Sequence, residues 1–440
     1  MTTITAPLTV SNNTIVTGIS TQHLLLKRGI WAYFILLIFE GALRKWFLPG
    51  LSTPLLIVRD PIAVYLLWLA IKDGILRPNI YMSTAVLIGI IGIFTALFFG
   101  HGDLAVAIFG ARIFIFHFPL IFVIGSVFTR EDIIKMGKVL VYISVPMALL
   151  IAIQFYSPQS AWVNRGIGGD LKGAGFSGAL GYYRPPGTFS FTNGNALFFA
   201  FAGSFIIYFW LVQRGINRII LIAATISLIA AIPLSISRAL FFSVASSLLF
   251  AIIAMFRKPQ LFGRFVLIGL IVFFSFGILS TTPFFDTSRE AFLSRFETAN
   301  ETEGGMSGVI GGRYLGGMMT GLGSSPGVPL LGYGLGMGTN AGAMLLTGDN
   351  SLFLISEEEW GRLIGELGPV LGLLVIILRL ALTLKMTTAS YRRLSAGDLL
   401  PWMLLSFGFL NIPQGQWAQP TSLGFSTLIA GLIVASLRKE

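Results

Sequence analysis

The chain has 440 residues, of which 55% are hydrophobic and 11% are charged, and its mean hydropathy is +0.82. This composition excludes a soluble globular protein, because a soluble core would have to hide more apolar surface than its volume allows. The net charge of +11 does not indicate a nucleic-acid partner, since most lysines and arginines lie in short gaps between apolar runs, and the absence of cysteine excludes disulfides and thiolate chemistry.

The first 26 residues are polar and rich in Thr, Ser and Asn. They lack the charged segment and apolar core of a cleaved signal peptide, so we predict a disordered cytoplasmic tail. Residues 27–440 are predicted to form a single transmembrane domain, whose first helix serves as its own insertion signal.

Apolar runs of roughly 17 to 25 residues, the length that crosses a bilayer, follow the tail. They predict an all-α polytopic membrane protein with about twelve transmembrane helices. The windows are 29–47, 54–71, 80–99, 105–127, 133–155, 194–212, 217–235, 239–256, 262–281, 360–384, 399–413 and 421–437.

The basic residues give an orientation to these helices. With the tail on the inner side, the short inner connections hold cations such as Lys72, Arg392 and Arg393, as the positive-inside rule requires. Both termini are then predicted to be cytoplasmic.

Two predicted outer segments are much longer than the inner ones: residues 156–193, and residues 282–358 between the ninth and tenth helices. Long connections in a compact protein are commonly functional, so we look for the site here. The second segment is net acidic and dense in glycine from Gly304 to Gly348. It predicts short interfacial helices joined by tight turns, with Gly312 to Leu322 as one candidate.

Arg184 is the first candidate binding residue. It precedes a Pro185-Pro186-Gly187 turn and a helix entry at Asn193. A guanidinium beside a helix N-terminus is suited to a lipid-linked phosphate. An interfacial arginine that meets lipid headgroups is the alternative.

Arg238 and Arg313 are the other two candidate cations on the outer side. Arg238 follows a very short turn, where a cation opposes the positive-inside bias and indicates an anionic partner; a side chain snorkelling to the boundary is the alternative. Arg313 opens a glycine-rich run that predicts an interfacial helix. Together with Arg184, these residues are candidates for neutralising a diphosphate by bidentate contacts.

Other charges fall within or beside the apolar windows. Because isolated charges are costly there, Glu40, Arg44, Lys45, Arg59 and Asp60 are predicted to pair with one another. A second set predicts polar contacts inside the bundle, with a buried path as the alternative: Arg112, His117 and Arg379.

Several motifs, in this order along residues 105–435, resemble those of the O-antigen ligase and O-antigen polymerase superfamily. They are the Arg184 run RPPGTFSFTNGNALFFAFA, the Ser237-Arg238 turn, PLLGYGLG from Pro329, the Asp349-Asn350 pair and ELGPVLGLL from Glu366. The N-terminal runs FEGALRKWFLP and PLLIVRDP resemble a bacterial branch of the same superfamily.

The resemblance implies an integral glycosyltransferase of the bacterial inner membrane with a large periplasmic loop. It implies transfer of a glycan from undecaprenyl diphosphate to an acceptor hydroxyl, on a lipid-linked repeat for a polymerase or on the lipid A core for a ligase. Under this reading Arg184, Arg238 and Arg313 hold the diphosphate, with Asn193 and Asn350 as further substrate contacts. The reaction implies no metal and no cofactor, and its partners are the two glycans and membrane lipids.

The chain departs from the family where the ligases commonly have a His-Asn pair. Here the pair is Asp349-Asn350, and the three histidines lie outside both long segments. A carboxylate would then act as the base, and Asp349 is preferred over the acidic run at 357–359, which is also suited to complementing a helix dipole. The missing histidine favours the polymerase.

Two alternative functions remain at this point. A secondary transporter also commonly has twelve helices with both ends inside, but it would place charges or broken helices at the middle of the bilayer. A non-catalytic partner in polysaccharide export would retain its activity without Arg184 or Arg313.

Overall fold

A computed structural model describes residues 21–213, 215–303, 327–349 and 354–438. Helices dominate these ranges, and one short hairpin is the described β-structure. We number the helices α1 Thr21–Ala42, α2 Arg59–Lys72, α3 Ile80–Phe98, α4 Leu104–Arg112, α5 Phe118–Val127, α6 Arg130–Tyr156, α7 Thr192–Val212, α8 Arg218–Leu234, α9 Arg238–Arg257, α10 Phe262–Ser280, α11 Pro283–Glu303, α12 Asn340–Thr347, α13 Glu359–Ser395, α14 Leu400–Gln414 and α15 Pro420–Leu437; the strands are β1 Phe176–Ala179 and β2 Tyr182–Arg184.

In the described part of the chain, nine helices are long and apolar enough to cross a membrane. Each of the twelve predicted windows falls on helix, but three of these helices do not meet that standard: α1, α8 and α14. The helix α1 begins at Thr21, so the predicted tail boundary at residue 27 lies inside it.

Many large apolar side chains are exposed on the outside of this bundle. Ile219, Phe273 and Ile278 are 75%, 70% and 67% exposed. Apolar exposure on this scale marks a surface whose solvent is lipid, and the helices satisfy their own backbone hydrogen bonds there. The chain is therefore a helical membrane protein.

The two ends of the bundle differ in character. Connections at one end are short and hold ion pairs, such as Lys27 with Asp132 at 2.6 Å and Arg130 with Asp398 at 2.7 Å. The other end, which we call the loop end, has the two long segments, the turn 235–237 and the turn 415–419. Arg184, Asn193, Arg238 and Asp349, the predicted site residues that the structure describes, lie at this end.

Close approach of small residues holds the central helices together. A Cβ at Gly125 of α5 would lie 2.4 Å from Val434 of α15, and one at Gly431 would lie 2.6 Å from Ile124. Glycine at such crossings lets two membrane helices pack backbone to backbone. The helices α5 and α15 therefore pack closely against each other.

The segment from 156 to 193 is ordered at the loop end. Asn164 caps its first turn by donating from Nδ2 to the carbonyls of Gln154, Ser157 and Pro158. Strands β1 and β2 then pair antiparallel, with Phe176 opposite Arg184. The chain returns to the membrane through the turn 185–190, whose Gly187 exchanges two hydrogen bonds with the Gln154 side chain.

The helix α13 is not the straight span that the window 360–384 predicted. Gly368 has φ 77° and ψ 169°, and Pro369 follows it. Arg379 bonds Glu359 at 2.8 Å although the two are 20 residues apart, a separation of about 30 Å in a straight helix. A Cβ at Gly372 would lie 2.8 Å from the Ile364 Cα. The arm 359–367 therefore folds back antiparallel to the arm 369–395.

The tip of this helical hairpin is held by the segment 329–338. Because the break at Gly368 frees backbone carbonyls, Tyr333 N donates to Gly365 O at 2.8 Å and Gly334 N donates to Glu366 O at 3.1 Å. Gly338 N donates to the Glu366 carboxylate at 2.9 Å. The PLLGYGLG motif thus locks a broken helix.

We expect Gly368→Ala to destabilise the protein by about 1 to 3 kcal/mol, since a side chain is strained at this φ. Its Cβ would also lie 2.1 Å from the Leu330 carbonyl oxygen. Thermal unfolding of the purified chain in detergent, followed by tryptophan fluorescence, measures the loss. Gly263→Ala is the control, since nothing lies within 4 Å of that site. Equal melting temperatures for the two variants would contradict the strained tip.

Candidate functional site

The Arg184 side chain lies at the end of β2, in a crowded corner around Gly178. A Cβ at Gly178 would lie 2.6 Å from Ile236 Cδ1 and 3.4 Å from Arg184 Cγ. The turn that carries Arg238 therefore packs against the hairpin that carries Arg184. Two of the three predicted arginines belong to one corner of the loop end.

A further arginine joins this corner. Arg295 of α11 donates from Nη1 to the Gly178 carbonyl at 3.1 Å. The helix α11 is fixed over α9 by aromatic contacts, with Phe296 5.8 Å from Phe241 and 6.1 Å from Phe242. The sequence analysis missed Arg295 because it assigned no helix within 282–303. The available signal was the spacing of Phe292 and Phe296, which are four residues apart and so lie on one face of a helix.

The backbone of the Arg238 turn is strained. Ile236 is fully buried and has φ 46°, a conformation that is rare for a β-branched residue. Ser237 then caps α9 by accepting from Leu240 N at 3.2 Å. Strain of this kind is kept where the surrounding structure demands it, and it is common at functional sites.

Asn193 lies on the other side of the turn 185–190. Its Nδ2 donates to Ser422 Oγ at 3.1 Å and approaches Gln419 Oε1 at 3.4 Å. Gln416 lies in the turn 415–419 with Gln419, and its Nε2 donates to the Glu357 carbonyl at 3.1 Å. The start of α7 and the turn 415–419 therefore form a continuous polar surface.

Asp349 lies elsewhere at the loop end. It is exposed, just after α12, a helix that packs on α4. Arg313 and Asn350, the remaining predicted site residues, and the predicted helix from Gly312 to Leu322 lie outside the described residues.

Four buried charges belong to the α13 hairpin, and we call them the α13 quartet: Glu359, Arg362, Glu366 and Arg379. Each is at most 3% exposed. Arg362 bridges both carboxylates, at 2.8 Å to Glu359 and 2.6 Å to Glu366. The sequence analysis considered Glu359 as part of an acidic run that complements a helix dipole. The burial of the quartet depends on the fold-back of α13, which only the tertiary structure shows.

The quartet is tied to the turn 415–419. The Arg379 guanidinium lies 4.0 Å from the centre of the Trp417 ring, and Trp360 Nε1 donates to the Pro413 carbonyl at 2.9 Å. Among the described residues, Arg379 Nε and Nη2 are buried without a hydrogen-bond partner. The quartet therefore lies beneath the polar surface that includes Gln416 and Gln419.

A second buried network joins α1, α2 and the turn 185–190. Glu40 accepts from Arg59 Nε at 3.1 Å and lies 3.5 Å from Arg44 Nη1, which also bonds Ser190 Oγ at 3.0 Å. Lys45 Nζ donates to the Gly187 carbonyl at 2.7 Å. The predicted pairing of the N-terminal charges is confirmed for Glu40, Arg44 and Arg59, and not for Lys45.

A third network confirms the predicted contacts inside the bundle. The Asp60 carboxylate accepts from Arg112 Nη1 at 3.1 Å and contacts His117 Nε2 at 2.8 Å, while Tyr33 Oη lies 3.0 Å from His117 Nδ1. Asp60 pairs with Arg112 and His117. The prediction that Asp60 pairs within the set of N-terminal charges is therefore wrong.

The arrangement offers two kinds of chemistry at the loop end. At the corner around Gly178, Arg184 and Arg295 lie beside the turn that precedes Arg238, and their guanidinium groups are suited to an anionic group. The surface from Asn193 to Gln416 offers neutral amides, which are suited to hydroxyl groups. Comparison of the chain with protein-family models, with curated proteins and with solved structures finds no match.

We expect Arg362→Met to destabilise the protein by about 3 to 5 kcal/mol, because it leaves the buried Glu366 without a cation and leaves Glu359 with Arg379 alone. The matched control is Arg289→Met, which removes an arginine that is also three residues from its partner, Asp286, but with side chains 41% and 49% exposed. The control should cost less than about 1 kcal/mol. Chemical unfolding in mixed micelles compares the free energies of unfolding of the two variants. Similar losses would contradict the inference that the buried quartet stabilises the fold.

Proposed function

We propose that this protein is a polymerase-like or ligase-like glycosyltransferase that moves a glycan from undecaprenyl diphosphate to an acceptor hydroxyl. The observation that carries the proposal is the convergence on Gly178 of Arg184, the Arg238 turn and Arg295, at the loop end of the helices. A diphosphate leaving group needs such cations, and each guanidinium can bind phosphate oxygens in a bidentate manner.

In this proposal the acceptor oxygen attacks the anomeric carbon and the bond from that carbon to the diphosphate oxygen breaks. The electron pair leaves with the diphosphate, whose charge is stabilised by Arg184, Arg238 and Arg313, with Arg295 as a fourth cation. The acceptor proton passes to a carboxylate, for which Asp349 remains the candidate. Asn193 and Asn350 contact the substrate, and no metal or cofactor takes part.

The same proposal assigns twelve transmembrane helices to a bacterial inner membrane. The loop end is then periplasmic, and the opposite end, with Arg130, Arg257 and Arg393, is cytoplasmic together with both termini. The acceptor is a lipid-linked repeat for a polymerase, which we favour because the His-Asn pair of the ligases is absent.

We expect Arg184→Ala and Arg313→Ala each to reduce glycan elongation by about 100-fold or more, since each removes a cation from the leaving group. The variants are expressed in a strain that lacks the gene, and polymer length is read on gels beside the amount of protein in the membrane. Arg257→Ala, whose guanidinium bonds the Tyr391 hydroxyl at the opposite end, is the control and should keep full elongation. Full-length polymer from either site variant would contradict the assignment.

The lipid-linked species that accumulates without the gene separates the two branches. Single repeats on undecaprenyl diphosphate identify a polymerase, and finished chains on it identify a ligase.

A secondary transporter is the second candidate, and the α13 hairpin favours it. The broken helix and the buried quartet around Arg362 are features that a carrier uses to bind solute within the bilayer. Reconstituted vesicles distinguish the two functions: a carrier moves solute without consuming a lipid-linked glycan, and a transferase releases undecaprenyl diphosphate.

A further inference from the structure

A cavity of about 260 Å³ lies at the end of the bundle opposite the loop end. The end of α7, the turn 258–261 between α9 and α10, and the residue before α14 meet around it. Its polar lining residues are Lys258, Gln260 and Arg264, and the others are leucines and one valine. The described lining therefore combines two cations and one amide with an apolar wall, and it includes no carboxylate.

The two cations that line the cavity are only partly used by the protein. Lys258 Nζ donates to the Gly397 carbonyl, and Arg264 Nη1 donates to the Leu211 carbonyl. An ammonium has three N–H donors and a guanidinium has five, so most of their donors remain for another acceptor. Within the described ranges, neither cation has a carboxylate within 4 Å.

The neighbouring charges leave this region positive. Asp398, which follows Gly397 in the sequence, accepts from Arg130 at 2.7 and 2.8 Å. Arg257, which precedes Lys258, bonds the Tyr391 hydroxyl. The one nearby carboxylate is thus already engaged in a bidentate pair, and the cavity is suited to an anionic ligand.

The helix beside the cavity faces lipid. Among the nine candidate spans of the described ranges, Pro259–Ile278 is the least buried. Leu267, Phe274 and Ile278 are 40%, 62% and 67% exposed, and their spacing of seven and four residues places them on one face of α10. Leu267 is three residues from Arg264, so this apolar face begins next to the cationic cavity.

We propose that the cavity binds the headgroup of an anionic bilayer phospholipid, with an acyl chain along Leu267, Phe274 and Ile278. The phosphate oxygens accept from Lys258 and Arg264, since basic pockets between membrane helices are suited to lipid headgroups. A soluble anion would use only the cations, whereas a phospholipid also uses the apolar face of α10. The site is at the opposite end from Arg184, so it does not depend on glycan transfer.

Binding is measured by native mass spectrometry of the full chain, freed of lipid in a non-ionic detergent. The probes are phosphatidylglycerol, phosphatidylcholine with the same acyl chains, and glycerol phosphate. We expect phosphatidylglycerol to bind at least about tenfold more tightly than either other probe, because phosphatidylcholine has no net charge and glycerol phosphate has no tail. Equal affinity for phosphatidylcholine, or equal or tighter binding of glycerol phosphate, would overturn the proposal.

Gln260→Glu places one carboxylate in the cavity. Gln260 is exposed in a turn, so the variant should fold. We expect it to bind phosphatidylglycerol about tenfold more weakly, because the new charge pairs with the cations and repels phosphate. Asn79→Asp is the matched control: it adds the same charge at the same end, at the start of α3, and keeps the oxygen that accepts from Met82 N at 3.1 Å.

Arg264→Gln removes a cation but retains an amide that can donate to the Leu211 carbonyl. We expect about tenfold weaker binding of phosphatidylglycerol, because a charge-assisted contact is lost. Arg218→Gln is the control, since Arg218 is an exposed arginine in the first turn of α8 at the same end. Wild-type affinity in either folded cavity variant would refute the headgroup site, and an equal loss in its control would overturn it in favour of non-specific attraction.

Discussion

The need to compensate charge inside a membrane organises this molecule. The described arginines and carboxylates that are 6% exposed or less lie on α1, in the turn of helix that follows it, and on α2, α4 and α13. Their ion pairs join α1 to α2, α2 to α4, and the two arms of α13. Removing one partner leaves an uncompensated ion in a medium of low dielectric constant, which is far more costly than losing an apolar contact. The ion pairs therefore restrict the arrangement of the helices more tightly than apolar packing alone would.

This constraint reaches its strongest form in the α13 hairpin. Glu359 and Arg379 can meet only because Gly368 adopts a positive φ and Pro369 leaves the preceding carbonyls free. Those carbonyls are then bonded by Tyr333 and Gly334. The glycine-rich segment 329–338 thus holds the tip of the α13 hairpin, and Glu359, the last residue of the acidic run 357–359, is part of the buried core.

The turn 185–190 links the ionic interior to the candidate site. Arg44 and Lys45 donate hydrogen bonds to this turn, and the side chain of Gln154 in α6 accepts one from it. In the sequence, the turn lies between Arg184 and Asn193. A site built on such a turn is held by buried charge rather than by loop stiffness. This connection joins the proposed phosphate chemistry at the loop end to the buried side chains of Arg44 and Lys45.

The sequence by itself determined the membrane class, the positions of the helices and the need for Arg112 and His117 to find polar partners, because hydropathy and the cost of intramembrane charge are local properties. It also singled out Arg184 and Arg238, whose turns do pack together. Only the tertiary structure decided that α13 folds back, that Arg295 joins the corner around Gly178 and that Asp60 pairs with Arg112. Those outcomes depend on which distant segments meet, and no local pattern of residues encodes such meetings.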